Sequence, residues 1–187
     1  MGPLAASAEA NGVRERIRIL GEATEAALLA EVSDDPHRIA EIQTRLADID
    51  ADPIVLGGGV FVATYQGEVA AIDQRRGRLA WRRVMSTYGG MAADLQQLYV
   101  SDETSVVWGL DIRSGAARWK QDQLLNRRLS NVVVRGDLVV VGDFEGYLHW
   151  IDRSNGELAA RTRVGSAPIT KGLTVVDRVL YVQGDGG

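Results

Sequence analysis

Two hydrophobic periods divide the chain. Between residues 9 and 50 the apolar positions recur at helical spacing, first as Val13, Ile17, Leu20, Thr24 and Ala27 and then as Ile39, Ile42, Leu46 and Ile49, which lays one apolar stripe along each helix. Ser33-Asp-Asp-Pro36 separates the two runs. It reads as a stop and a new start, with an Asp as N-cap, Pro at the first turn and Glu41 behind it. The pattern therefore predicts an N-terminal helical hairpin over 1–52. Helices of this length depend on packing their apolar faces, and Gly12 and Gly21 weaken the first by about 1 kcal/mol each relative to Ala.

At Pro53 the period changes to two, and proline disfavours helix in the residue before it. Short β-rich runs separated by turn residues follow at 54–57, 60–65, 68–72 and 79–84, then at 91–95, 97–102, 105–112 and 116–121, then at 131–135, 138–143, 146–152 and 157–164. A last pair lies at 172–176 and 179–183. One motif marks the cycle. Apolar-Asp-x-x-x-Gly-x-x-x-Trp occurs at Asp73 to Trp81 and at Asp111 to Trp119, and a third copy from Asp152 ends in Ala160. The Asp residues stand 38 and 41 positions apart, a spacing typical of propeller blades. Each Asp is expected to bond the amides that follow it, and each Gly to take a positive φ. The predicted fold is mainly β: a partial β-propeller of three four-stranded blades plus a half blade over 53–187, preceded by the helical hairpin.

Composition sharpens this picture in two places. Residues 1–52 carry five Arg against eleven Asp and Glu, a balance of −6, whereas residues 53–187 carry sixteen basic and fourteen acidic groups, a balance of +2. Two compositions are joined at the point where the period changes. The sequence contains no cysteine, which removes disulfides, thiolate metal sites and cysteine nucleophiles. No run approaches eighteen apolar residues, so no membrane-spanning helix is predicted. Met1-Gly-Pro-Leu-Ala-Ala-Ser7 lacks the basic and apolar regions of a signal peptide. As written, the chain is expected to stay in the cytoplasm. No basic stripe interleaved with aromatics occurs, the Arg pairs at 75–76, 82–83 and 127–128 read as solvated turn and outer-strand residues, and no nucleic-acid partner is predicted.

The candidate chemical groups read as structural. Asp73, Asp111 and Asp152 recur in every blade and fit turn building. Trp81, Trp119 and Trp150 are expected to pack between blades, where a large aromatic contributes most by burial, with Trp108 in the corresponding third strand. His149, between Leu148 and Trp150 on a predicted strand, reads as a packed or hydrogen-bonded histidine, since the other histidine, His37, lies in the helical segment. Asp102-Glu103 and Asp143-Phe-Glu145 are hairpin-loop acids. No catalytic, cofactor-binding or metal-binding residue is assigned.

Two stretches resemble known families. Ser33-Asp-Asp-Pro-His-Arg-Ile-Ala-Glu-Ile-Gln-Thr-Arg-Leu-Ala-Asp-Ile-Asp50 is similar to a helical stretch of ABC-F family ATPases. No ATPase function follows, because the chain has no G-x-x-x-x-G-K-[ST] to cradle phosphates. The blade repeat resembles the PQQ-like β-propellers. The quinoprotein dehydrogenases among them use a quinone, a cation and usually a vicinal cysteine pair, and those cysteines are missing here. Within that group, Gly142-Asp-Phe-Glu-Gly-Tyr-Leu-His-Trp-Ile-Asp152 and Arg45-Leu-Ala-Asp-Ile-Asp-Ala-Asp-Pro53 resemble the BamB-like outer-membrane assembly lipoproteins over about residues 45–187, the C-terminal part of an eight-bladed parent.

That resemblance implies a periplasmic, membrane-anchored scaffold whose partner is the barrel-assembly subunit, docked through its periplasmic domains. It places the partner-binding Asp-x-Asp at Asp48 and Asp50. The family's second docking loop, its lipidated cysteine and its first four or so blades have no counterpart, and 45–50 fits both resemblances, as a recombination junction or built chimera would. Two readings follow: a non-enzymatic β-propeller interaction scaffold without cofactor, or a chimeric, designed or truncated protein with no evolved activity. Uncovered blade faces further predict a homo-oligomer, two copies of about three and a half blades each.

Overall fold

A computed structural model of the protein describes residues 53–63, 67–76, 78–87, 89–170 and 172–186. The predicted helical hairpin over 1–52 lies outside the described residues. Fourteen strands follow in order: β1 Ile54–Leu56, β2 Gly59–Ala63, β3 Glu68–Asp73 and β4 Leu79–Val84 form one antiparallel meander. β5 Met91–Ala93, β6 Gln97–Ser101, β7 Val107–Asp111 and β8 Ala117–Gln121 form the second. β9 Val133–Arg135, β10 Leu138–Gly142, β11 Tyr147–Asp152 and β12 Leu158–Arg163 form the third, and β13 Leu173–Val176 pairs with β14 Val179–Val182. The first strands β1, β5, β9 and β13 are successive neighbours, as in blades arrayed about an axis.

Every predicted strand is present, and two shortened ones have local causes. β7 starts at Val107 rather than 105, because the Asp102 carboxylate accepts the amides of Thr104 (2.9 Å) and Val106 (2.9 Å) and takes 102–106 into a side-chain-closed turn. β9 starts at Val133 rather than 131, because the Asn131 amide reaches across to the next unit. Its Nδ2 donates to the Leu173 carbonyl (2.7 Å) and its Oδ1 accepts the Leu173 amide (3.2 Å), a side-chain imitation of strand pairing.

The core lies between blades rather than in one centre. Phe61, Val69, Ala71 and Trp81 of the first blade pack on Leu98, Val100 and Leu110 of the second. Tyr99, Val107 and Trp119 face Val139, Val141 and Ile151 of the third. Val140 and Leu148 face Leu173 beyond it. β6 is therefore buried at all five residues, Leu98 and Val100 facing the first blade and Tyr99 the third, which is why its centre is three apolar residues in a row. Each fully buried Val or Leu contributes about 1.5–3 kcal/mol.

The repeated motif now has a mechanical meaning. The Trp81 Nε1 donates to the Ile112 carbonyl at 3.0 Å and the Trp119 Nε1 to the Arg153 carbonyl at 2.8 Å. Each acceptor follows the motif Asp of the next blade. Gly115 (φ 68°) and Gly156 (φ 79°) lie under the two indoles, and a Cβ on either would come within 2.5 Å of the ring. The Trp of one copy thus keys into the turn of the next. Within each blade the same Trp faces a small residue across the strand pair: Ala71 opposite Trp81 and Gly109 opposite Trp119. In the third blade the sizes are exchanged, Trp150 opposite Ala160. Trp150 packs, half-buried, against the layer between β11 and β13.

Candidate functional site

Asp48 and Asp50, the residues to which the resemblance assigns partner binding, lie outside the described residues. Asp73, Asp111 and Asp152 are turn builders. Their Oδ1 atoms accept the amides of Arg75 and Arg76 (2.9 and 2.8 Å), of Arg113 and Ser114 (3.1 and 3.0 Å) and of Ser154 (2.7 Å) respectively. Arg118, with help from the Ser114 hydroxyl and turn amides, pulls the Asp111 carboxyl down to about 2. All three stay ionised at neutral pH, each with its Oδ1 taken up by its own turn, while Asp111 Oδ2 is held by Arg118 of β8.

A different set of groups converges where the second and third blades meet. The connection 122–132 joins β8 to β9, and the hairpin 143–146 joins β10 to β11. Asp143 is completely buried and His149 is 2% exposed. One carboxylate oxygen of Asp143, Oδ1, accepts the amides of Glu145 (2.9 Å) and Tyr147 (3.0 Å). The other, Oδ2, lies 2.8 Å from His149 Nε2 and accepts the Arg127 Nε at 2.7 Å. Arg127 also pairs with Glu145. Burial alone would push Asp143 up, but the hydrogen bonds from His149, the Tyr147 amide and Arg127 hold it below the usual carboxylate range. Asp143 is thus an ionised acceptor, so the hydrogen shared by the two side chains sits on His149 Nε2. Burial, opposed by Asp143, keeps the imidazole pKa below its ordinary value, so the ring is neutral at pH 7.

The second blade repeats this arrangement with another donor. Asp102 occupies the place of Asp143 at the same strand end, and its Oδ2 accepts the Trp108 Nε1 at 2.8 Å. Trp108 and His149 each stand three residues before the motif Asp. His149 is therefore an N–H donor standing where the preceding blade uses an indole, and the structure confirms the hydrogen-bonded reading of this histidine. The sequence separately identified Asp143, Glu145 and His149; Arg127, sixteen residues from Asp143, it did not connect to them.

The network fastens a polar and apolar surface. The Asn126 amide donates to the Thr104 carbonyl (3.0 Å) and the Phe144 amide to the Arg127 carbonyl (3.2 Å), so the connection is held between two hairpins. Asn126 and Arg128 take left-handed backbone conformations (φ 62° and 48°). Leu125 and Phe144 are left 50% and 41% exposed. A groove of about 400 Å³ beside it is lined by Leu124, Arg127, His149 and the β12 residues 158–161. A second cavity of about 470 Å³ lies between Ser101–Glu103, Arg128, Leu129 and Thr170. Among the described residues no cluster of His, Asp and Glu has the geometry of a metal site. No helix among them is long and apolar enough to cross a membrane.

The family model described as "Outer membrane protein assembly factor BamB" matches residues 23–121, more than half of the chain. The chain belongs to the BamB family. The match begins thirty residues before Pro53, within the segment that the sequence predicts as helical. BamB of Shewanella oneidensis is 38% identical over 144 residues, and BamB of Alkalilimnicola ehrlichii is 44% identical over 138. These alignments take in 77% and 74% of this chain and 36% of each relative. The chain thus spans about a third of the length of the curated relatives it matches. The crystal structure of BamB from Moraxella catarrhalis superposes with a TM-score of 0.69 at 26% identity, over 73% of this chain and 41% of that one. The stretch 142–152, which lies beyond the family-model match, is the hairpin carrying Asp143 and His149.

Proposed function

We propose that the chain is a non-enzymatic interaction scaffold for outer-membrane protein assembly, working from the periplasm. Its blades over 53–187 serve as a rigid platform, and its partner is the periplasmic part of the barrel-assembly subunit. The observation that carries this reading is membership of a family whose named relatives are outer membrane protein assembly factors, along an alignment that takes in about three quarters of the chain. The keyed blades add physical support: a surface built on Trp-to-turn locks every 38 or 41 residues changes shape little on binding. Asp48 and Asp50 are the docking residues in this reading, their carboxylates accepting charge-assisted hydrogen bonds. Copies of the chain associate with each other through uncovered blade surface.

Binding of the full chain to the purified periplasmic domains of the barrel-assembly subunit tests the proposal. A saturable complex is expected, weakened about tenfold or more, or about 1.4 kcal/mol, in Asp48→Ala/Asp50→Ala. Wild-type protein that is folded but binds nothing would leave a chimeric or truncated fold without evolved activity as the better description.

A further inference from the structure

We propose that His149 is a proton-operated clamp: while neutral it shares one carboxylate oxygen of Asp143 with Arg127 and holds the 122–132 connection in place, and when protonated it releases Arg127 and loosens residues 124–129 of that connection.

The charges surrounding the imidazole are few and identifiable. Arg127 reaches it from the connection, with Glu145 of the hairpin paired behind it, Asp143 from the hairpin, and Arg161 from β12, where it is the direct cross-strand partner of His149. With a neutral ring, two guanidinium groups face two carboxylates. One added proton leaves three cations against two anions in a site where Asp143 and His149 have almost no contact with water. Asp143 cannot leave, because its Oδ1 closes the hairpin through two amides. Arg161 stacks over Tyr147, 4.6 Å from the ring centre. Arg127 is the member free to move. Its side chain is 24% exposed, it competes with His149 for the same Oδ2, and it lies on a connection rather than in a sheet. Once it leaves, residues 124–129 are tied to the flanking hairpins only by the backbone bonds from Asn126 to Thr104 and from Phe144 to Arg127, while Ser130 keeps the end of the connection pinned to Gly142.

A route for the proton is present, since His149 lines the groove between the connection and β12. The remaining ring nitrogen, Nδ1, has no hydrogen-bond partner among the described residues. It can therefore take the second proton. The linkage has a definite sign. The imidazole pKa is lower in the folded protein than its ordinary value of 6.5, so the unfolded chain binds more protons in the window below pH 6.5. Stability, and with it the order of the connection, falls as the pH falls through that window. The second blade provides the control, since Trp108 makes the same bond to Asp102 with a group that does not titrate.

The test follows the full chain by NMR between pH 7.5 and 4.5. It reads the His149 ring protons and the backbone amides and exchange protection of residues 124–129, corrected for intrinsic exchange rates. The amides of the connection are expected to shift with the same midpoint as the His149 ring. Their protection should fall over the same pH range in which the ring takes up its proton. His149→Gln keeps an N–H donor without titrating and should hold protection constant with pH; His149→Trp, copying Trp108, should do the same. Arg127→Ala should show the released state at every pH. The proposal is overturned if the ring does not titrate in this range, if it titrates while the connection stays unchanged, or if His149→Gln retains the pH response.

Discussion

Gly115 lies under the Trp81 indole with φ 68°, and both facts forbid a side chain there. A β-branched residue at positive φ costs about 1–3 kcal/mol, and displacing a packed Trp adds a share of the roughly 3–5 kcal/mol that such a residue contributes. Gly115→Val is therefore expected to lower the urea midpoint by the equivalent of 3 kcal/mol or more, on the order of the sum of those two effects. Arg113→Ala, two residues away in the exposed part of the same turn, should stay within about 0.5 kcal/mol of wild type. Equal midpoints for the two variants would refute the keying of one blade into the next. The pairing of His149 with Asp143 shows the same economy at a polar residue: a carboxylate at the strand end is satisfied by whichever N–H the third strand supplies, an indole in one blade and an imidazole in the next.

Along the strands, the fourth strand of a blade must meet two demands, presenting a Trp to the next turn and leaving room for that Trp across the sheet. β7 and β8 meet the second with Gly109 opposite Trp119, where a Cβ on Gly109 would enter the indole. Gly109→Ala should cost about 1–3 kcal/mol by overpacking, although alanine is no worse a strand residue than glycine. Trp119→Ala should cost about 3–5 kcal/mol. In the double variant most of the Gly109→Ala cost should vanish, giving a coupling of about 0.5–3 kcal/mol in a double-mutant cycle read by urea unfolding. Additive effects would mean that the two residues do not share the space. The exchange of sizes in the third blade, Trp150 opposite Ala160, explains how the third copy of the motif ends in Ala without leaving both strands empty. Trp150 then fills the layer toward β13.

For the molecule as a whole, the contrast is between second strands. β6 is buried throughout and β10 nearly so, whereas β14 alternates, with Val179 and Tyr181 exposed at 50% and 57% and Val176 exposed beside them on β13. An apolar face of this kind on a sheet is a contact surface or an aggregation hazard, and association of copies is the expected consequence. Light scattering across a wide concentration range should give a mass above that of one 20.3 kDa chain, reduced toward one chain by Tyr181→Lys. A monomer at every concentration would remove the homo-oligomer from the proposed function.

The strands, their order and their turns are written locally in the sequence. Period-two alternation, β-branched runs and the Asp-x-x-x-Gly spacing act over fewer than ten residues, and steric limits on φ and local side-chain bonds to amides decide them wherever the segment lies. The sequence also carried the family, which is legible over residues 23–121. Contacts between units come from the packing of the folded chain. Trp81 finds Gly115 and the Ile112 carbonyl more than thirty residues away, and Arg127 meets Asp143 and His149. Such pairs depend on the register of one blade against the next, which is fixed by the fit of whole apolar layers. No single spacing in the chain records that fit, because the energy that selects it is spread over every side chain in the layer.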